Sequence, residues 1–242
     1  MKFSANLGFL WNDRPLPNAI RAAKAAGFDA VECHWPYDQD VAAVRAALDE
    51  TGLPMLGLNT DRGDLTVPEN GLCALPGRQA DARATIDQAL DYAQKFSAQS
   101  LHVMAGFAAG QTAEDTFFEN LTYAADKAAA LGITILIEPL NRHDAPGYFL
   151  QTTDQAKSII ERVGAANLKL MFDCYHVGRT EGDVITRLSN LSDIIGHIQF
   201  ASVPTRGRPD QGELNYRTVF DHIASMDWDT PLGAEYKPIG ST

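Results

Sequence analysis

The sequence predicts an α/β fold, a (β/α)8 TIM barrel formed as a single domain over residues 1–242. Three observations carry that expectation. Short β-rich runs alternate with Ala-rich helical stretches along the chain, the pattern of parallel strands joined by crossover helices. No glycine-rich phosphate loop of the GxGxxG or GxxxxGK[ST] type follows any strand, which removes the main signature of the competing doubly wound sheet. Polar residues recur at the C-terminal ends of several strands, the face on which barrel enzymes place their chemistry.

The elements follow in order. A first strand over Phe3–Phe9 leads to a helix over Pro17–Ala26, closed by Gly27. The second strand, Ala30–His34, is followed by a helix over Val41–Thr51 that stops at Gly52. The third, Met55–Asn59, precedes an irregular stretch, Thr60–Arg78, which carries Gly63, Pro68, Gly71, Pro76 and Gly77. A connection of that length is expected to form a lid or binding loop. Helix Gln79–Phe96, strand Ser100–Met104, helix Ala113–Leu131 (ended by Gly132) and strand Thr134–Leu140 come next. Helix Thr153–Val163, strands Lys169–Phe172 and Ile195–Phe200, helix Tyr216–Met226 and strand Leu232–Tyr236 complete the series. Only Lys237–Thr242 follow, so the expected barrel has no eighth, closing helix. The apolar barrel wall left bare there is a candidate surface for a homo-oligomer.

Composition narrows the function classes. Lys and Arg number 20 against 31 Asp and Glu, a formal charge of −11, which argues against nucleic acid as a partner because phosphate binding needs a basic surface. No apolar run approaches the ~20 residues that span a bilayer, so no membrane association is expected. The start of the chain has one Lys and no extended apolar stretch and does not read as a signal peptide. Cys33, Cys73 and Cys174 form no CxxC, which fits a cytoplasmic protein and offers no zinc site.

The chemistry concentrates at strand ends. Glu138 in ILIEPLN, Asp173 in LMFDCYH, Gln199 in HIQFA and Glu235 in GAEYKP each follow an apolar run, on the fifth to eighth strands. Any one of them alone reads as a helix cap or a loop-bonding group. Together, three carboxylates and an amide oxygen on neighbouring strands would repel one another unless a cation joined them. An all-oxygen set suits Mg2+ or Mn2+ better than zinc. His176 lies three residues after Asp173, within reach of the same place, or bonds to backbone at a helix start. His197 shares the face of Gln199 but lies deeper and reads as a satisfied interior histidine, with His102 and His34 as weaker cases. Arg206 and Arg208, after the seventh strand, are candidates to clamp a carboxylate or are solvated loop residues.

FSANLGFLW, FDAVECHWPYD, IEPLNRHDAPGYFL, LKLMFDCYH, GHIQFASVPTRGRPDQGELNY and GAEYKP together resemble the hydroxypyruvate isomerase family, within the xylose-isomerase-like TIM barrels. The resemblance extends over almost the whole chain. It implies a metal held by Glu138, Asp173, Gln199 and Glu235, with Glu138 and Glu235 also moving the proton. It further implies that His176 contacts a substrate oxygen and that Arg206 lies close to the substrate. The reaction implied converts hydroxypyruvate to 2-hydroxy-3-oxopropanoate (tartronate semialdehyde) through an enediolate. Isomerisation of 2-oxo-tetronate and 3-epimerisation of a ketose are alternatives at the same site. Cleavage at abasic DNA sites is a remote one, set against the acidic charge.

Overall fold

The computed structural model describes residues 1–64, 66–67, 69–238 and 240, so Pro68 of the long loop and parts of the Lys237–Thr242 tail lie outside the described residues. The strands are β1 (Phe3–Asn6), β2 (Ala30–Glu32), β3 (Gly57–Asn59), β4 (Ser100–His102), β5 (Thr134–Ile137), β6 (Leu168–Asp173), β7 (Ile195–Phe200) and β8 (Leu232–Ala234). They form one parallel sheet in the order β2-β1-β8-β7-β6-β5-β4-β3. The two ends of that order meet at a parallel bridge between Val31 and Met55. Val31 N–H donates to Pro54 O at 3.0 Å and Leu56 N–H to Val31 O at 2.7 Å, so the wall closes into a barrel.

The helices are α1 (Leu16–Ala25), α2 (Val41–Thr51), α3 (Gln79–Phe96), α4 (Gln111–Ala129), α5 (Thr153–Val163), α6 (Cys174–Thr180), α7 (Val184–Leu191) and α8 (Tyr216–Ser225). Outward strand residues such as Val31, Leu101, Ile135 and Ile198 pack against Ile20, Val44, Ile86, Phe117 and Leu188 on the inner helix faces. Burial of that apolar shell is the main force holding the helices to the wall. Asp40, Thr152 and Asn215 cap α2, α5 and α8, satisfying free N–H groups of the first turn. Helices α6 and α7 both lie in the β6–β7 connection, where the sequence reading places none. The seven residues of α6 are too few to show a clear apolar period, whereas α7 carries Val184, Leu188 and Leu191 at helical spacing. Among the described residues no helix follows β8, as expected. None is long and apolar enough to cross a membrane.

Strands end earlier than their apolar runs suggest. The strands end at Asn6, Glu32, His102 and Ile137, and residues just beyond them such as Leu7, Cys33, Val103 and Met104 are buried outside the sheet. On that face the long β3–α3 loop, expected as a lid or binding loop, is fastened to its neighbours. Gly71 bridges to Ala105, and Phe107 bridges to Tyr148. Ala74 N–H donates to Ala105 O at 2.7 Å and Phe107 N–H to Glu69 O at 3.0 Å. The loops after β3, β4 and β5 are thereby stitched together. Gly106 makes this possible: its φ is +94°, and a Cβ there would lie 2.1 Å from Gly71 O. Gly106→Ala combines a left-handed backbone with a backbone clash and is expected to cost about 2–4 kcal/mol. The measurement is the thermal midpoint, expected to fall by roughly 5 °C or more; a midpoint within a degree of the parent would contradict this account.

Candidate active site

Glu138 follows β5 directly, Asp173 ends β6, Gln199 lies near the end of β7 and Glu235 follows β8. All are buried. Register brings them level, since Asp173 pairs with Gln199 across β6 and β7, and Gln199 with Gly233 across β7 and β8. Glu138, Asp173, His176 and Glu235 each offer an atom to a cluster whose members all lie within 4.8 Å of one another. Above it is a cavity of about 190 Å³, with Phe9, Trp35, Leu140 and Met104 among its walls and Glu138, Glu235, His176, Arg206 and Asp144 among its polar groups.

The hydrogen-bond ledger of these buried atoms shows what they are free to do. Glu138 Oε1, Asp173 Oδ2 and Gln199 Oε1 have no hydrogen-bond partner. Buried oxygens are almost always paired, so several orphans in one place call for a ligand. Asp173 serves as cap and as site residue at once: Oδ1 accepts from Tyr175 N–H at 2.8 Å and holds the first turn of α6, leaving Oδ2 to the cluster. Glu235 is the exception, with Oε1 near His34 Nε2 (3.1 Å) and Asn6 Nδ2 (3.0 Å) and Oε2 accepting from Arg206 Nη2 at 2.5 Å. Hard oxygen donors of this kind fit a metal cation.

His176 sits beside the carboxylates, 3.6 Å from Asp173 Oδ2 and 3.8 Å from Glu138 Oε1 through Nε2. Its other nitrogen decides its chemistry. Nδ1 accepts from the Asn141 backbone N–H at 2.8 Å, so in the neutral ring Nε2 carries the proton. A protonated nitrogen cannot ligate a cation, which makes His176 a hydrogen-bond donor into the cavity. Burial, aided by the charge of Arg206, pushes its pKa down to about 3, keeping the ring neutral.

Electrostatics set the two glutamates apart. Burial raises the Glu138 carboxyl well above the ordinary range, reinforced by the charges of Glu235 and Asp173. Burial likewise pushes Asp173 up to about 7, again with Glu235 contributing. Burial acts upward on Glu235 too, but the Arg206 guanidinium and the His34 hydrogen bond outweigh it and hold this carboxyl low. Arg206 is itself anchored, its guanidinium over the rings of Phe9 and Tyr175 at 4.6 and 5.0 Å. Its backbone is tied in as well, Lys237 N–H donating to Arg206 O at 2.7 Å. Arg208 instead is exposed and pairs with Asp210, away from the site.

Residues 20–240 match the model of the family described as Xylose isomerase-like TIM barrel. The chain belongs to that family. A 2-oxo-tetronate isomerase of Cupriavidus necator is 45% identical, over 100% of this chain and 94% of the relative. The hydroxypyruvate isomerase of Escherichia coli (strain K12) is 36% identical, over 100% and 95%. A crystal structure of AP endonuclease, family 2 from Brucella melitensis superposes with a TM-score of 0.96 at 38% identity, covering 100% of this chain and 95% of that one. By kinship with the named isomerases, this xylose isomerase-like barrel is an isomerase.

Sequence reasoning missed three groups in this xylose isomerase-like site. Glu32, at the end of β2, accepts from His197 Nε2 at 2.8 Å, Gln199 Nε2 at 2.7 Å and Asn6 Nδ2 at 3.0 Å. Burial acts to raise its pKa, but the charge and hydrogen bond of His197 outweigh that and keep it low. His197 is thus the satisfied interior histidine expected. Asn6 ends β1 and Asn141 fixes the tautomer of His176. The rule that found Glu138, a polar residue closing an apolar run, also marks Glu32 in FDAVE. His102 is interior, 3.7 Å from Glu138 through Nδ1, and burial lowers its pKa to about 4.

Proposed function

We propose that this protein isomerises a short hydroxylated 2-oxo acid, with Glu138, Asp173, Gln199 and Glu235 holding Mg2+ or Mn2+. The observation that carries the reading is the set of buried, unpartnered oxygens on Glu138, Asp173 and Gln199: Glu138 and Asp173 cluster with Glu235 and His176 within 4.8 Å, and Gln199 lies level with Asp173 across β6 and β7. A divalent ion bound there would act as a Lewis acid, drawing electron density from the substrate carbonyl and making the adjacent C–H acidic. In hydroxypyruvate and in 2-oxo-tetronate alike, the carbon next to the 2-oxo group bears a hydroxyl and a proton. One of Glu138 and Glu235 removes that proton, giving an enediolate; the hydroxyl proton passes from the C3 oxygen to the C2 oxygen, and a proton returned to C2 leaves the carbonyl on C3. His176 donates its Nε2–H to a substrate oxygen. Arg206, the buried cation of the cavity, attracts the substrate carboxylate.

Both 2-oxo acids fit a small cavity with one buried guanidinium. The 45% identity to the Cupriavidus necator relative favours 2-oxo-tetronate as an equal candidate beside hydroxypyruvate. Resemblance to a D-psicose 3-epimerase structure is a matter of fold, at 17% identity. Against the nucleic-acid reading suggested by the AP endonuclease neighbour stands the formal charge of −11. The deciding experiment is a panel of hydroxypyruvate, 2-oxo-tetronate, D-psicose and D-tagatose with an abasic-site duplex. The expected outcome is turnover of a 2-oxo acid with kcat/KM roughly a hundredfold or more above either ketose, because a ketose has no carboxylate to make the charge-assisted contact with Arg206. Preferred turnover of a ketose, or strand cleavage, would overturn it.

A further inference from the structure

We propose that Glu32 is a positioning residue that sets which end of the Gln199 amide faces the ligand cluster. The inference rests on the reading of Gln199 as a ligand. Among the four ligands Gln199 is the one with a wrong end. A carboxylate presents the same atom type whichever way it rotates, whereas a reversed amide would aim N–H donors at a cation. Nothing in the Gln199 side chain itself chooses between the two orientations.

Glu32 makes the choice. Its carboxylate has acceptors only, so the group that Gln199 turns toward it must be the NH2, and Nε2 does lie 2.7 Å from Glu32 Oε1. Gln199 Oε1 is thereby left buried and without a partner. Glu32 is held in turn by His197, whose Nε2 donates to Oε2 at 2.8 Å, and by Asn6, whose Nδ2 lies 3.0 Å from Oε1. The same Asn6 nitrogen is 3.0 Å from Glu235 Oε1, so one carboxylate on β2 braces ligands on β7 and, through Asn6, at the end of β8. The space for this arrangement comes from Gly233. A Cβ at that position would stand 2.7 Å from both Gln199 Cγ and Glu32 Oε1. Residues that orient a ligand through its second polar atom typically account for tenfold to hundredfold in metal affinity.

The test is Mn2+ titration of chelator-stripped protein, with free Mn2+ read by electron paramagnetic resonance. Glu32→Met, which removes the acceptor and keeps the bulk, is expected to weaken Mn2+ binding roughly 10- to 100-fold. Adding Gln199→Glu to that variant supplies a ligand with two equivalent oxygens and is expected to restore affinity. A double variant as weak as the single would mean that Glu32 acts only through the fold, and would overturn the proposal. So would Glu32→Met binding Mn2+ as tightly as the parent. Parent protein that binds no Mn2+ would instead sink the metal reading itself. Should Glu32→Met fail to fold, nitrogen-15 NMR of the parent decides. The Gln199 side-chain NH2 pair, identified by its loss in Gln199→Glu, is expected to be protected from solvent exchange with and without Mg2+. Free exchange would overturn the proposal.

Discussion

Glu138→Gln and Glu235→Gln, made separately, are each expected to lower kcat by about 10²- to 10⁴-fold, the usual contribution of a positioned general acid or base. Each substitution keeps the size of the side chain and one oxygen for a cation, so the loss reports on proton transfer more than on metal binding. The two carboxyls flank one cavity but live in different fields. Glu138 is pushed up by burial and by its acidic neighbours, while Glu235 is held down against burial by Arg206 and His34. Paired carboxyl groups whose surroundings drive their proton affinities apart are the pattern expected of an acid and a base. Steady-state turnover on the preferred 2-oxo acid, with Mn2+ affinity measured in parallel, separates the roles. A variant that retains near-normal kcat removes its glutamate from the proton path.

Exhaustive chelation is expected to reduce turnover to below about 1% of the starting rate, with recovery on adding Mg2+ or Mn2+, because stabilising the developing charge is the largest single demand of such a reaction. Activity that survives chelation would contradict the metal assignment. Reloading should also depend on pH. With Asp173 pushed up to about 7, its carboxyl is protonated below that value in stripped protein, and Glu138 is raised as well. A proton must leave before the oxygen can bind the ion. Apparent Mn2+ affinity is therefore expected to fall by about tenfold per pH unit, for each proton released, as pH drops below 7. Affinity that is flat between pH 8 and 5.5 would show that Asp173 gives up no proton.

The barrel was legible because its parallel strands and crossover helices impose periods that a single sequence displays. Helices α2, α3 and α5 begin and end where composition places them, each long enough to show an apolar stripe. Helix α6 was not legible, being only seven residues long, while the short stripe of α7 at Val184, Leu188 and Leu191 was legible but passed over. Glu138, Asp173 and Glu235 could be picked out because each ends an apolar run, and the fold gathers all three into one cluster. The orientation of His176 depends on Asn141, some 35 residues away, and so on a loop whose path no periodicity encodes. Arg206 and Arg208 look alike in TRGRPD, and only the turn of that loop sends one inward and the other to Asp210. Glu32 was missed because its partners, His197 and Gln199, lie 165 and 167 residues downstream.

The two bridges that join the loops after β3, β4 and β5 couple those loops mechanically. None of the three can shift without breaking, or carrying along, the pairs at Gly71–Ala105 and Phe107–Tyr148, so they are expected to open as one cooperative unit.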